Sequence, residues 1–445
     1  MAGPLVVVGG NAGGMTAAAE ARRGAPDLEI VVLERGEHVS YATCGIPYLV
    51  AGEVASEDDL VHHDPASFMR ERGIEVRTDA GVAAIDPEAR VVTTADGRRQ
   101  PYGALVIATG ARPVRPDIPG IDLPGVVSLR HLPSARGPRR ILAAASDPRV
   151  VLIGSGPIGV EMAEAALALG ARVTIAESRP YAVPALGEEP AARVARALSE
   201  AHVEVRTRAR VQGIERAGET LEVVIDGDRV PADLVVLGTG VVPEAGLARE
   251  AGCATGEAGA IAVDRRGRTS VEGIWAAGDC AVAHHRVLGR PVWIPLATTA
   301  TAQGRIVGRD VTGRPGRFPG VLGSWVSRFG EVAFGATGID AAAAAAEGFA
   351  PRVVTREGSD RSAYMPGARD VLVRLVWDEA TGRLLGGQMA GSGEVSTRLH
   401  TVSTAISAGM TIGELAACDF GYAPPLSPLR DPVELAAAAA VGDAA

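Results

Sequence analysis

One cysteine stands apart from the other three. Cys44 lies in the stretch Ser40-Tyr41-Ala42-Thr43-Cys44-Gly45-Ile46-Pro47-Tyr48. With Gly45 beside it and Pro47 after it, the chain reads as a loop entering a helix, and a helix N-terminus favours thiolate over thiol. Leu49 occupies the position at which a second cysteine would complete C-x-x-x-x-C. Any disulfide at Cys44 must therefore be mixed, with a small thiol or another chain. Cys253, Cys280 and Cys418 are scattered and lack such a setting. They read as structural, since free cysteine is commonly a small buried apolar residue. No C-x-x-C pair or metal-ligand spacing occurs, which leaves no support for a disulfide framework or a zinc site. The pairs His62-His63 and His284-His285 read as surface or loop residues, not metal ligands.

Two glycine loops have the chemistry of dinucleotide binding. Gly9-Gly10-Asn11-Ala12-Gly13-Gly14 follows the apolar run Leu5–Val8 and precedes an alanine-rich helical stretch, 15–23. A second apolar strand, Ile30–Leu33, ends at Glu34, with Arg35 next. Strand, glycine turn, helix, strand and acid about 20 residues on is the order a dinucleotide fold requires. Glycines let the backbone approach a pyrophosphate, and the helix N-terminus offers it unpaired N–H groups. Glu34 can accept ribose hydroxyls. Asn11, at the middle glycine of G-x-G-x-x-G, is a departure. The second loop, Gly154-Ser155-Gly156-Pro157-Ile158-Gly159, is intact and lies between strand 150–153 and helix 160–169. The strand after it, 173–176, ends at Glu177. Two such units imply two dinucleotides, one held and one exchanged: a flavin and a nicotinamide cofactor. Glu177 suits a free ribose hydroxyl and favours NADH, while Arg179 could neutralise the 2′-phosphate of NADPH.

The elements between and after these loops read as follows. Residues 57–72 are helical and loop-rich, broken at His62-His63-Asp64-Pro65. Strand-like stretches at 74–78, 81–85 and 90–94 lead to a hairpin turn at Asp96-Gly97. Strand 104–108 runs into Thr109-Gly110, and Pro113, Pro116 and Pro119 then make a stiff linker. Residues 234–237 repeat that exit at Gly238-Thr239-Gly240. A strand within 270–279 delivers Asp279 to a turn; Pro295-Leu296-Ala297 then opens a helix from Thr298 to 309. Near Gly313 the texture changes to antiparallel strands, 325–338 and 371–389, and helices 398–408 and 412–417. The expected boundaries are 1–115, 116–244, 245–318 (a return to the first unit) and 319–445. The alanine-rich tail, 434–445, receives no assignment. The fold class is α/β, with two Rossmann-like domains and a C-terminal α+β domain.

From Leu5 to about Pro432 the chain resembles the pyridine nucleotide-disulfide oxidoreductases of the single-cysteine branch. That branch holds coenzyme A-disulfide reductase, NADH peroxidase and NADH oxidase. The resemblance implies a homodimeric FAD enzyme, closest to coenzyme A-disulfide reductase, with Cys44 as its redox thiol against the flavin. FAD would lie on Gly9, Asn11, Ala12, Gly13 and Gly14, with Glu34, Arg35 and Val82 nearby. Thr109-Gly110, matching an A-T-G motif, and the turn at Asp279 would complete that site, with Leu296, Ala297 and Thr298 at the flavin's pyrimidine end. NAD(P)H would lie on Gly154, Gly156, Ile158 and Gly159, with Glu177, Arg179 and Gly240. Thr43 stands where the family often has asparagine or serine. Peroxidases and oxidases typically carry histidine at the position of Ala12, so the disulfide-reductase side is favoured; persulfide or polysulfide reduction could use the same residues. Arg23 and Ser40 match contacts to coenzyme A, the likeliest thiol. Tyr364, in Ala363-Tyr364-Met365-Pro366-Gly367, and Tyr422, in Gly421-Tyr422-Ala423-Pro424-Pro425, match tyrosines that reach the thiol site from the partner subunit. They would replace the C-terminal histidine-glutamate pair of two-cysteine reductases. The sulfurtransferase module of some relatives is not expected.

Composition agrees with a large α/β protein. The chain has 445 residues, enough for roughly two to four domains, and is 47% hydrophobic with 56 Gly and 29 Pro. A net charge of -9 argues against non-specific nucleic-acid binding. No apolar run approaches the ~20 residues of a membrane span, and Leu5–Val8 is too short for a signal-peptide core. A cytoplasmic location is the resulting expectation.

Overall fold

The computed structural model describes residues 3–442. A five-stranded sheet runs in the order Ile274–Ala276, Ala104–Ile107, Leu5–Val8, Ile30–Leu33 and Glu75–Arg77, all parallel. The middle three strands are buried along their whole length, so they read as unbroken apolar runs and not as alternating ones. Leu5 pairs with Ile30 on one side and Ala104 on the other. That register brings Gly9, Glu34 and Ala108 to the same edge, the carboxyl end of a parallel sheet, where such folds bind ligands.

The second unit repeats the plan. Its sheet runs Glu204–Thr207, Arg172–Glu177, Arg149–Ile153, Leu234–Leu237 and Val126–Val127. Each unit also carries a three-stranded antiparallel excursion: Val82–Asp86, Val91–Thr94 and Arg99–Pro101 in the first, Val211–Ala217, Thr220–Ile225 and Asp228–Ala232 in the second. The proline-rich linker does not run alone. Its strand Ala111–Pro113 pairs antiparallel with Val241–Pro243. Thr109 Oγ1 donates to the Glu244 carbonyl at 2.5 Å, and Thr239 Oγ1 donates to the Val114 carbonyl at 2.6 Å. The two Thr-Gly exits therefore fasten each other.

Helix Ala12–Gly24 begins three residues before the expected 15, because Gly13 and Gly14 belong to its first turn. It packs on helix Ala297–Val311 at glycine-close range: a Cβ on Gly304 would lie 2.4 Å from the Gly13 carbonyl oxygen. The C-terminal sheet runs Trp325–Phe329, Val332–Gly338, Leu384–Gly391, Asp370–Asp378 and Pro351–Ser359. The last, an edge strand missing from the sequence reading, is half exposed and has no clean alternation. Helix Pro432–Val441 covers this sheet, with Val433, Ala436 and Ala437 fully buried. Asp431 caps it, accepting the Val433 N–H at 2.9 Å. Most of the unassigned alanine-rich tail is thus core helix, its uniform composition giving no amphipathic stripe to read; residues 443–445 lie outside the described residues.

One histidine corrects the sequence reading. His285 is buried, and its Nδ1 accepts the N–H groups of Val287 and Leu288 at 3.2 and 3.3 Å. Burial pulls its pKa down to about 4, so it is neutral at pH 7. Among the described residues, no helix is long and apolar enough to cross a membrane.

Candidate active site

A cavity of about 300 Å³ opens at the carboxyl edge of the first sheet. Gly9, Asn11, Glu34, Arg35, Val82, Thr109 and Gly110 line it, gathering residues from across the first 110 positions. Gly9 has φ +109°, and a Cβ there would stand 2.2 Å from the Ala108 carbonyl oxygen. Only glycine fits that turn. Glu34 is held by backbone, its two oxygens accepting the N–H of Gly10 at 2.7 Å and of Gly36 at 2.8 Å. Ala12, Gly13 and Gly14 form the helix N-terminus behind the loop.

Asp279 joins this site through a residue that the sequence did not flag. Arg130 lines the cavity and donates Nη2 to Asp279 Oδ2 at 2.7 Å. A glycine cradle, helix-terminal amides, a fixed carboxylate and two arginines, Arg35 and Arg130, suit the diphosphate and ribose of FAD. Tyr41 and His131 also line the cavity and were missed. The His131 ring contacts Arg35 through Nε2 at 3.2 Å and Tyr41 through Nδ1 at 3.4 Å. Burial, then the charges of Arg35 and Arg130, hold its pKa below the usual value. Leu296, Ala297 and Thr298 lie elsewhere, on neighbouring grooves at the start of helix Ala297–Val311. That helix connects to the site through Gln303, which is buried. Its Oε1 accepts the Gly278 N–H at 2.9 Å, and its Nε2 donates to the Val282 carbonyl at 2.7 Å. Replacing Arg130 by methionine leaves the Asp279 carboxylate without its ion-pair partner at the cavity. The expected result is a purified protein with less than about half the wild-type flavin-to-protein absorbance ratio.

Cys44 sits in the single turn Thr43–Gly45, which runs directly into helix Ile46–Ala51. Asn11 Nδ2 donates to Thr43 Oγ1 at 3.2 Å, so two departures from the expected motifs pair with each other and tie the glycine loop to the cysteine turn. The protein around the thiol works against the expected lowering of its pKa. Cys44 is solvent-accessible, yet the surrounding protein disfavours its charge and pushes the thiol up; the Glu161 carboxylate adds to this, and Arg130 opposes it. Glu161, on helix Pro157–Ala168 of the second unit, has its own pKa raised by burial, while Ser327 Oγ donates to its Oε1 at 2.8 Å. Glu161→Gln removes a negative charge facing the thiolate, so the Cys44 pKa should fall. Alkylation by iodoacetamide at pH 7.5 should then speed up by roughly threefold; an unchanged rate contradicts the coupling.

The second loop has the same construction. Gly156 caps helix Pro157–Ala168 with open space where a side chain would stand. A Cβ on Gly159 would lie 2.3 Å from the Gly154 carbonyl oxygen. Glu177 is buried; its Oε2 accepts the Ser155 N–H at 2.8 Å and Oγ at 2.7 Å, and its Oε1 accepts the Arg179 N–H at 2.8 Å. Ile158 and Arg179 are exposed, and Gly240 turns the exit with φ +88°.

Tyr364 and Tyr422 come together on the C-terminal domain. A hydrogen bond to Tyr364 raises the pKa of Tyr422, and the Ser362 N–H donates to the Pro424 carbonyl at 3.1 Å to join their loops. Both are exposed, with Leu426 and Leu429. Arg23 lies exposed in the last turn of its helix, paired with Glu20. Ser40 has φ +52°, and its N–H donates to the Gly10 carbonyl at 2.9 Å. Arg23 is therefore at the C-terminal end of helix Ala12–Gly24, whereas Ser40 is in a loop bonded to the glycine turn. Buried Cys253 and Cys280 are part of the first unit's core.

Comparison with known proteins agrees with this geometry. Residues 3–304 match the family described as pyridine nucleotide-disulphide oxidoreductase, and residues 327–431 match its dimerisation domain. The chain is 36% identical over 430 residues to the NAD(P)H sulfur oxidoreductase (CoA-dependent) of Pyrococcus abyssi, covering 96% of each. It superposes on the NAD-dependent persulfide reductase from A. fulgidus with a TM-score of 0.96 at 37% identity, covering 99% of this chain and 83% of that one. The coenzyme A disulfide reductase of Staphylococcus haemolyticus is more distant, 24% identical over 437 residues, covering 97% of this chain and 98% of that protein. The chain belongs to the pyridine nucleotide-disulphide oxidoreductases.

Proposed function

We propose that this protein is an NAD(P)H-dependent reductase of sulfur–sulfur bonds in coenzyme A-linked substrates, with a persulfide or polysulfide preferred over coenzyme A disulfide. The observation that carries the reading is Cys44: an exposed thiol next to Thr43, which lines the cavity of the first glycine loop, with no second cysteine positioned to close an internal disulfide. The CoA-dependent sulfur oxidoreductase and the persulfide reductase among its relatives support the substrate class, and the coenzyme A disulfide reductase is a more distant relative.

The Cys44 thiolate attacks the sulfur bonded to the coenzyme A carbon chain. For a persulfide, the terminal sulfur leaves as hydrosulfide; for a disulfide, a coenzyme A thiolate leaves. Either route gives the same mixed disulfide on Cys44. Two electrons and one proton then restore the Cys44 thiolate and free coenzyme A thiol. The glycine loop, Glu34 and Arg130 of the first cavity would hold a flavin, whose chemistry would be to relay those two electrons from the nicotinamide. Arg23 and Ser40 are the polar residues that would contact the coenzyme A portion of the substrate. Tyr422 and Tyr364 would be presented by a second copy of the chain, where a phenol can donate to the departing sulfur. Glu177 favours NADH over NADPH, although its carboxylate also serves three internal donors.

The test is steady-state NADH consumption across a panel of acceptors. Coenzyme A persulfide or polysulfide with coenzyme A should give the highest kcat/KM, and coenzyme A disulfide a lower one. Consumption no faster than the oxygen background with every sulfur acceptor, or fastest with hydrogen peroxide, overturns the reading.

A further inference from the structure

A second cavity, of about 510 Å³, lies behind helix Ala297–Val311 and shares no lining residue with the cavity beside Cys44. Gly304 and Gly308 face helix Ala12–Gly24, whereas Gln303 and Ile306 line this cavity from another face. Its charged lining is basic, with Arg265, Arg266 and Arg317 against one carboxylate, Asp264, and His284 beside them. Asp264 is already engaged, its Oδ1 accepting the N–H of Arg266 at 2.8 Å and of Arg268 at 3.0 Å. Arg266 is partly neutralised by Asp310, 3.7 Å away. Arg265 donates Nε to the Phe318 carbonyl at 2.8 Å, and among the described residues neither it nor Arg317 forms an ion pair.

These like charges repel each other. Burial, then Arg317 and Arg286, pull the Arg265 pKa down; burial, then Arg265 and Arg317, do the same to His284. Gathering unpaired guanidinium groups in a concave site is unfavourable unless an anion balances them, and this chain has a net charge of -9 and ample acid to pair them with. The volume falls in the usual range for small-molecule sites. Ile306, Pro291 and Phe318 add an apolar wall, with Phe318 buried.

We propose that this cavity binds a phosphomonoester of mononucleotide size, its phosphate between Arg265 and Arg317 and its ring against Phe318 and Ile306. Arginine forks match phosphate oxygens in pairs. The site is independent of the sulfur chemistry, so it stands or falls separately from the proposed function.

The test is calorimetric titration of the flavin-loaded protein with AMP, adenosine, ribose 5-phosphate and inorganic phosphate. AMP should bind at least tenfold more tightly than adenosine or inorganic phosphate, and ribose 5-phosphate separates a ring requirement from a sugar-phosphate one. Arg317 is exposed and unpaired, so Arg317→Gln should fold normally and weaken AMP by about tenfold while leaving the KM for NADH unchanged. Three results would overturn the proposal: AMP affinity unaffected by Arg317→Gln, which places AMP in a dinucleotide site; adenosine binding as tightly as AMP; or inorganic phosphate binding as tightly as AMP, which removes the ring.

Discussion

Cys44→Ser is expected to lower turnover with a persulfide or disulfide by about a thousandfold or more, because serine cannot form the mixed disulfide. The same variant should still consume NADH with an artificial electron acceptor such as ferricyanide, within about twofold of wild type. That split separates loss of the thiol from loss of the cofactor sites. The rate should also depend on pH in a direction fixed by the site. Burial and Glu161 raise the Cys44 pKa, so the reactive thiolate fraction is small at neutral pH and grows as pH rises through that pKa. Disulfide reduction should accordingly increase toward alkaline pH, and Glu161→Gln should move the rise to lower pH. A rate that falls above neutrality contradicts this assignment.

The second large effect is on stability. Arg398 and Asp431 are both buried and paired at 2.9 Å, joining helix Val395–Ala408 to the cap of helix Pro432–Val441. Arg398 also donates to the carbonyls of Glu394 and Asp360 at 3.0 and 3.1 Å. Arg398→Met fills similar volume but strands the Asp431 carboxylate and two carbonyls. Breaking one side of a buried pair costs about 3–5 kcal/mol. A drop of several degrees in Tm is the expected reading, with the flavin absorbance ratio unchanged below the transition. The double variant Arg398→Met/Asp431→Asn should recover part of the loss, since no unpaired charge remains; no recovery would mean that the pair is not the source.

What the sequence disclosed follows the distance over which each feature is written. Each glycine unit fits within about 25 residues, and the loop, helix and acidic residue of both stand where the spacing put them. The Arg130–Asp279 pair spans 149 positions, so nothing local marks Arg130. The influences that raise the Cys44 pKa, desolvation first and then Glu161 from the other unit, are not written next to it in the sequence. Asn11 and Thr43 each look like a lost contact when read alone; as a pair they form one. His285 and Ala436, Ala437 and Ala438 of the alanine-rich stretch are buried by tertiary packing that neither pattern nor composition encodes.

The most direct measurement is the mass of the Cys44 peptide under non-reducing conditions, after the protein has been incubated with coenzyme A disulfide and digested. One coenzyme A per chain on Cys44, removed by NADH and missing from Cys44→Ser, is the predicted result. An unmodified Cys44, or an adduct confined to Cys418, would contradict the account.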